Sequence, residues 1–125
     1  MEYLIAIIAL FLMVVFFILS RKKGIPIHAR PRIESLIKLI PSVKDPAKKV
    51  LEADKVLHEA LKSLGVQGSM GELLRRHGSK LPNEQPVWNA HKLRNRIAHE
   101  PMISISQRQA DQAVAALVKA TQSLL

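Results

Sequence analysis

The sequence has no cysteine, which excludes disulfide scaffolds, Cys-containing zinc modules and thiol nucleophiles together. Aromatic residues are scarce and unevenly placed. Tyr3, Phe11, Phe16 and Phe17 all precede residue 20, leaving Trp88 alone behind them. Acidic residues are also few, 10 Asp plus Glu against 19 Lys plus Arg, for a net charge of +9. The five His and the acids show neither zincin spacing nor a ligand cluster, so the sequence implies no metal and no cofactor. No Gly-rich phosphate loop follows a strand pattern, and no repeat or low-complexity tract is present. A length of 125 residues allows one small domain and not two.

What is there begins with a long apolar run. Tyr3 to Leu19 contains no charged or strongly polar side chain over 17 residues. As a helix it would span roughly 25 Å, near the lower limit for crossing a bilayer core. Only a helix satisfies its own backbone groups in lipid, so the Ile and Val content does not argue for a strand here. A cleaved signal peptide would carry positive charge before the run and small residues after it. Instead Glu2 precedes it and Ser20-Arg21-Lys22-Lys23 follows. A buried soluble helix is excluded by the lack of a polar face and by the small size of the remainder. Residues 1–20 are therefore expected to be a retained transmembrane anchor in a cell membrane. Residues 21–32 follow as a basic juxtamembrane linker (Arg21, Lys22, Lys23, Arg30, Arg32) broken by Pro26 and Pro31. The positive-inside rule then places the C-terminal domain in the cytoplasm. The same cations suit anionic headgroups, so the basic balance argues only weakly for nucleic acid.

The remainder reads as all-α, an up-and-down bundle of three longer helices around a short one. Residues 33–44 form a short amphipathic helix and turn, with Ile33, Leu36, Ile37 and Ile40 at helical spacing, set either on the bundle or at the headgroups. Residues 45–125 form the domain proper. Asp45-Pro46 opens a helix whose stripe is Ala47, Val50, Leu51, Leu57, Leu61 and Leu64, ended by Gly65. Ser69 with Glu72 makes a capping box for a short helix closed by Gly78. Asn83 is placed to cap a helix that runs to His99, because Pro101 disfavours helical geometry at Glu100. Ser106 with Gln109 opens the last helix, with Ala110, Ala113, Val114, Leu117, Thr121 and Leu124 facing inward. Trp88 reads as core, while His58, on an exposed side, and His77, near a helix C-terminus where its charge would suit the dipole, read as structural.

The helix ending at His99 carries the chemistry. His91, Asn95 and His99 stack at i, i+4 and i+8, flanked by Lys92, Arg94 and Arg96. On composition alone this is a solvated cationic face. The segment Arg94-Asn95-Arg96-Ile97-Ala98-His99 nevertheless resembles the Arg-polar-x-x-x-His motif of the HEPN superfamily of helical-bundle proteins. Ala53-Asp54-Lys55-Val56-Leu57, Met70-Gly71-Glu72 and Trp88 to Glu100 are similar to small membrane-anchored HEPN-like proteins of prokaryotes. The similarity covers residues 45–125 and not the anchor.

The resemblance implies a metal-independent endoribonuclease or, in the alternative, a noncatalytic module that docks a protein or a nucleotide at the membrane. In the nuclease, Arg94 would face the charge developing on the phosphorane and His99 would transfer protons near neutral pH. Asn95 would orient the imidazole or hold a phosphate oxygen, and Lys92 and Arg96 would bind flanking phosphates, with His91 a secondary candidate. Such proteins face their copies across a dimer cleft, so a homodimer is implied. The partners implied are the lipid bilayer, RNA or a nucleotide, and a protein such as an antitoxin. Arg94 and His99 are roughly 140° apart around a regular helix. They meet at one phosphate only if the helix distorts near Pro101 or if each meets the other subunit's groups.

Overall fold

The computed structural model describes residues 1–21 and 24–125. Lys22 and Lys23, two of the five cations of the expected linker, lie outside the described residues. The elements are α1 (Glu2–Ser20), α2 (Arg30–Leu39), α3 (Pro46–Lys62), α4 (Met70–His77), α5 (Glu84–His99) and α6 (Gln107–Leu124). Short 3-10 turns at Ile40–Ser42 and Gly78–Lys80 follow α2 and α4. Among the described residues there is no strand, and the all-α class stands.

α1 is 19 residues long with not one of them buried, and it is long and apolar enough to cross a membrane. α3, α5 and α6 pack on one another, with α2 and α4 set against α3. Leu57 and Leu61 of α3, Leu73 and Leu74 of α4, Val87 of α5 and Leu117 of α6 are all but inaccessible to solvent. Burial of a side chain of this size stabilises by about 1.5–3 kcal/mol. Among the described residues no buried member of the hydrophobic core is aromatic, so small side chains bring the helices together: Ala53 and Ala60 from α3, Ala90 from α5, and Ala110, Ala113 and Ala120 from α6. Trp88 is half-buried against this core.

The helix starts follow local chemistry. The Asp45 carboxylate accepts from Lys48 N at 2.8 Å, with Pro46 at the first helical position. The Ser69–Glu72 and Ser106–Gln109 boxes are both closed. At the first, the Ser69 amide bonded to Glu72 Oε2 at 2.9 Å holds that carboxyl below its ordinary range. Gly65 takes a φ of +89°, the left-handed conformation that lets the chain turn after α3. α5 ends at His99, with Pro101 two residues on.

Three expectations change. Asn83 stands at the start of α5 without capping it; its amide instead donates to Ala116 O of α6 at 2.9 Å. The described residues 24–32, expected as a linker, join the domain, and residues 33–44 take the bundle-packed arrangement of the two expected for them. Ile25, Ile33 and Ile40 are buried in the common core, Ile25 N donates to Leu124 O at 2.9 Å, and Arg30 Nε donates to Ile25 O at 3.2 Å. A bundle with so few large side chains recruits these isoleucines, and α2 packs on the bundle. His58 is half-buried rather than exposed, its Nε2 lying 3.0 Å from Gly68 O, which ties α3 to the loop before α4.

Candidate functional site

Asp54 sits on α3 one turn from Val50 and from Leu57, on the face that packs inward, and is 3% exposed. A carboxylate in such a place requires partners, because an unpaired buried charge costs several kcal/mol. α5 supplies them. His91, itself 7% exposed, places Nδ1 at 3.0 Å from Asp54 Oδ1. Arg94 Nε lies 3.5 Å from Asp54 Oδ2, within ion-pair range although not aligned as a hydrogen bond. Arg94 Nη1 donates to Asn95 Oδ1 at 3.3 Å, and Asn95 Nδ2 faces His91 Nε2 at 3.4 Å.

The four side chains thus form a closed ring, Asp54 to His91 to Asn95 to Arg94 and back to Asp54. Its directions agree with one another. A carboxylate only accepts, so a His91 proton faces it from Nδ1; in the singly protonated ring Nε2 can accept from the Asn95 amide, whose oxygen takes the Arg94 proton. Trp88 closes one side, its ring meeting that of His91 edge-on at 6.2 Å and 71°. The Arg94 side chain remains 37% exposed against 5% for that of Asp54, so a fixed guanidinium is offered at the surface from a buried anchor.

The remaining sequence-predicted residues lie outside the ring. His99 is exposed and lines a shallow depression of about 600 Å³ with Arg96, Glu100 and Pro101 to Ser104. Arg96 Nε donates to Glu100 Oε1 at 3.2 Å, which partly neutralises a cation expected to hold phosphate. Lys92 is exposed and has no ion-pair partner among the described residues. The helix is regular to its end, Glu100 N donating to Arg96 O at 2.8 Å, so Pro101 does not distort it. Arg94 and His99 therefore point roughly 140° apart within one chain, and of the two routes to a shared phosphate only the second subunit is left.

Sequence reasoning grouped Arg94 and Asn95 with His99 and held His91 as a secondary candidate; the structure joins Arg94 and Asn95 to His91 instead, through Asp54, which the sequence reading missed. The signal was present: an acid at the Val50–Leu57 spacing, on a stripe otherwise apolar, marks a buried charge with a partner elsewhere. His77 also departs from expectation. Its pKa is lowered, first by burial and then by Lys80 and Arg76, which works against the charge expected to suit the helix dipole. Among the described residues no three His, Asp or Glu side chains cluster as a metal site requires. No family model matches the chain, and neither a curated protein nor a solved structure matches it.

Proposed function

We propose that the chain is a single-pass membrane protein whose helical domain is a HEPN-like, metal-independent endoribonuclease on the cytoplasmic face, working as a homodimer. Orientation follows from the cations after α1, from Arg21 to Arg32, by the positive-inside rule. The observation that carries the reading is the buried ring around Asp54. A small apolar domain keeps four polar side chains together on α3 and α5, and their effect at the surface is a preorganised guanidinium at Arg94. Fixed positive charge of this kind is what phosphoryl chemistry uses, because it costs no reorganisation as charge develops.

In the reaction, the ribose 2′-oxygen attacks the adjacent phosphorus and the bond to the 5′-oxygen breaks, leaving a 2′,3′-cyclic phosphate and a 5′-hydroxyl. The 2′-hydroxyl proton passes to His99, and the departing 5′-oxygen takes its proton from solvent water. His99, exposed to solvent, performs a proton transfer. Arg94 opposes the charge on the nonbridging oxygens, and Asn95 braces Arg94. Lys92 holds flanking phosphate, with Arg96 in the share that Glu100 leaves it. Arg94 of one subunit and His99 of the other act on the same phosphate, since one regular helix cannot aim both.

A second reading has its own support. Asp54 already neutralises Arg94, and His99 points elsewhere, which suits a noncatalytic module that docks a protein or a nucleotide at the membrane. The two separate with the full chain in detergent, incubated with single-stranded RNA in EDTA. Wild type yields cyclic phosphate; Arg94→Ala and His99→Ala do not; co-expression of the two variants restores cleavage, because the mixed dimer holds one intact composite site. Absence of cleavage by a folded wild-type dimer leaves the docking module.

A further inference from the structure

We propose that the membrane-proximal end of the bundle holds a binding pocket for the phosphate of an anionic phospholipid headgroup, formed by Arg21, Arg30, Lys80 and His77. The proposal depends on α1 lying in a bilayer and is independent of the α5 site. An open pocket of about 630 Å³ lies where the end of α1 meets the domain, with Leu19 and the C-terminal turn of α6 among its walls. The volume falls in the range of small-ligand sites.

Three observations argue for an anionic headgroup. The first is charge: among the described residues, three lining side chains, Arg21, Arg30 and Lys80, are cationic and none is acidic. The second is an unmet need for a partner. Both ring nitrogens of His77 are shielded from solvent and have no hydrogen-bond partner among the described residues. A turn of the ring toward the pocket would let a phosphate oxygen accept its proton, whereas the Ser123 hydroxyl on the same wall already donates to Ala120 O at 2.6 Å. The third is depth. Leu19 and Ser20 are the boundary between apolar and polar sequence, so this end of α1 marks the headgroup layer. Gly24, four residues beyond Ser20, also lines the pocket, and four extended residues reach no more than about 14 Å. The main-chain bond from Ile25 to Leu124 fixes that wall to the domain. The pocket therefore sits at the bilayer surface, with apolar side chains at Leu19 and Leu124 beside the acyl chains and cations beside the phosphate.

The test uses the full chain in nanodiscs of phosphatidylcholine alone or mixed with phosphatidylglycerol, released for native mass spectrometry. Wild type should retain phosphatidylglycerol over phosphatidylcholine. Lys80→Glu should reduce that retention by about fivefold or more, the scale of one basic group at an anionic surface. Lys38→Glu makes the same charge change on an exposed side chain outside both the pocket and the basic linker, and should leave retention near wild type. Lys80 is exposed at its turn, so its replacement spares the core, and unchanged Trp88 fluorescence confirms folding. Equal losses in the two variants, or no preference for the anionic lipid, would overturn the proposal by reducing it to diffuse attraction. A parallel arm adds inorganic phosphate to lipid-free protein in detergent. A phosphate adduct there that is lost in Lys80→Glu, without phosphatidylglycerol retention in the nanodisc arm, would replace the lipid with soluble phosphate and overturn the headgroup assignment.

Discussion

α5 and α6 are neighbours that both pack on α3, and they use that contact in opposite ways. α6 buries Ala110, Ala113, Leu117, Ala120 and Leu124, and its one buried polar group, the Thr121 hydroxyl, is satisfied within the helix by Leu117 O at 2.8 Å. α5 buries only Val87, Ala90 and His91, and His91 needs a carboxylate from another helix. The apolar contact has no preferred direction and tolerates small shifts. The polar ring holds only when four side chains meet within tenths of an ångström. The contrast divides the labour: α3 with α6 supplies the stability that lets α3 with α5 hold a costly but well-defined arrangement.

The largest effect is expected where the apolar half is cut. Leu117→Ala removes a fully buried side chain and leaves a cavity, for a loss of about 2–5 kcal/mol. In a domain of this size that lowers the melting temperature by about 10 °C or more, measured by Trp88 fluorescence of the full chain in detergent. Asp54→Ala is expected to cost less, about 1–3 kcal/mol, because Arg94 can turn to water while the His91 donor is stranded. Asp54→Asn should be milder still, since an amide oxygen can accept from His91. The comparison breaks if Asp54→Ala destabilises more than Leu117→Ala, or if it changes nothing.

These contrasts also explain what could be read from the chain. Caps at Asp45, Ser69 and Ser106 depend on residues three apart, and the end of α5 depends on Pro101 two residues away, so local sequence carried them. α1 needed only its unbroken apolar run. The Asp54–His91 pair joins residues 37 apart; Asp54 has the spacing of an inner face, but His91 reads as part of a solvated cationic face, and nothing local shows that the two meet. Asn83 is the instructive intermediate. Its position at the start of α5 was legible, but a carbonyl of α6 competes for its side chain, and that neighbour is visible only in three dimensions. Ile25 belongs to no periodic stripe, so nothing local announced that the linker joins the core.

The next pair of effects is smaller and sharpens the distinction between local and tertiary bonds. Ser106→Ala and Asn83→Ala should each cost about 1 kcal/mol. The first acts through the start of α6, where the Ser106 hydroxyl accepts from Gln109 N at 3.1 Å. The second acts through the α5–α6 contact, by removing the bond to Ala116 O. Hydrogen exchange tells them apart: Ser106→Ala should speed exchange only in the first turn of α6, and Asn83→Ala along the facing surfaces of both helices. The same pattern in both would mean that the helices open as one unit.

The smallest structural effect is expected at Lys92, and its smallness is informative. The side chain is exposed on α5, outside the ring and outside every ion pair among the described residues. Lys92→Ala should therefore shift stability by no more than about 0.5 kcal/mol in either direction. If the outer face of α5 binds single-stranded RNA, each lost phosphate contact lowers the slope of log affinity against log salt by about 0.7. Measured by fluorescence anisotropy at several salt concentrations, Lys92→Ala should bind more weakly with that reduced slope, and it should do so equally for RNAs of different sequence. An unchanged slope would mean that Lys92 contacts no phosphate, and the functional half of the α5–α6 contrast would then rest on Arg94 and His99 alone. A loss confined to one RNA sequence would instead point to base contacts, which an exposed lysine is poorly equipped to make on a helix whose one indole ring, Trp88, packs half-buried against the core.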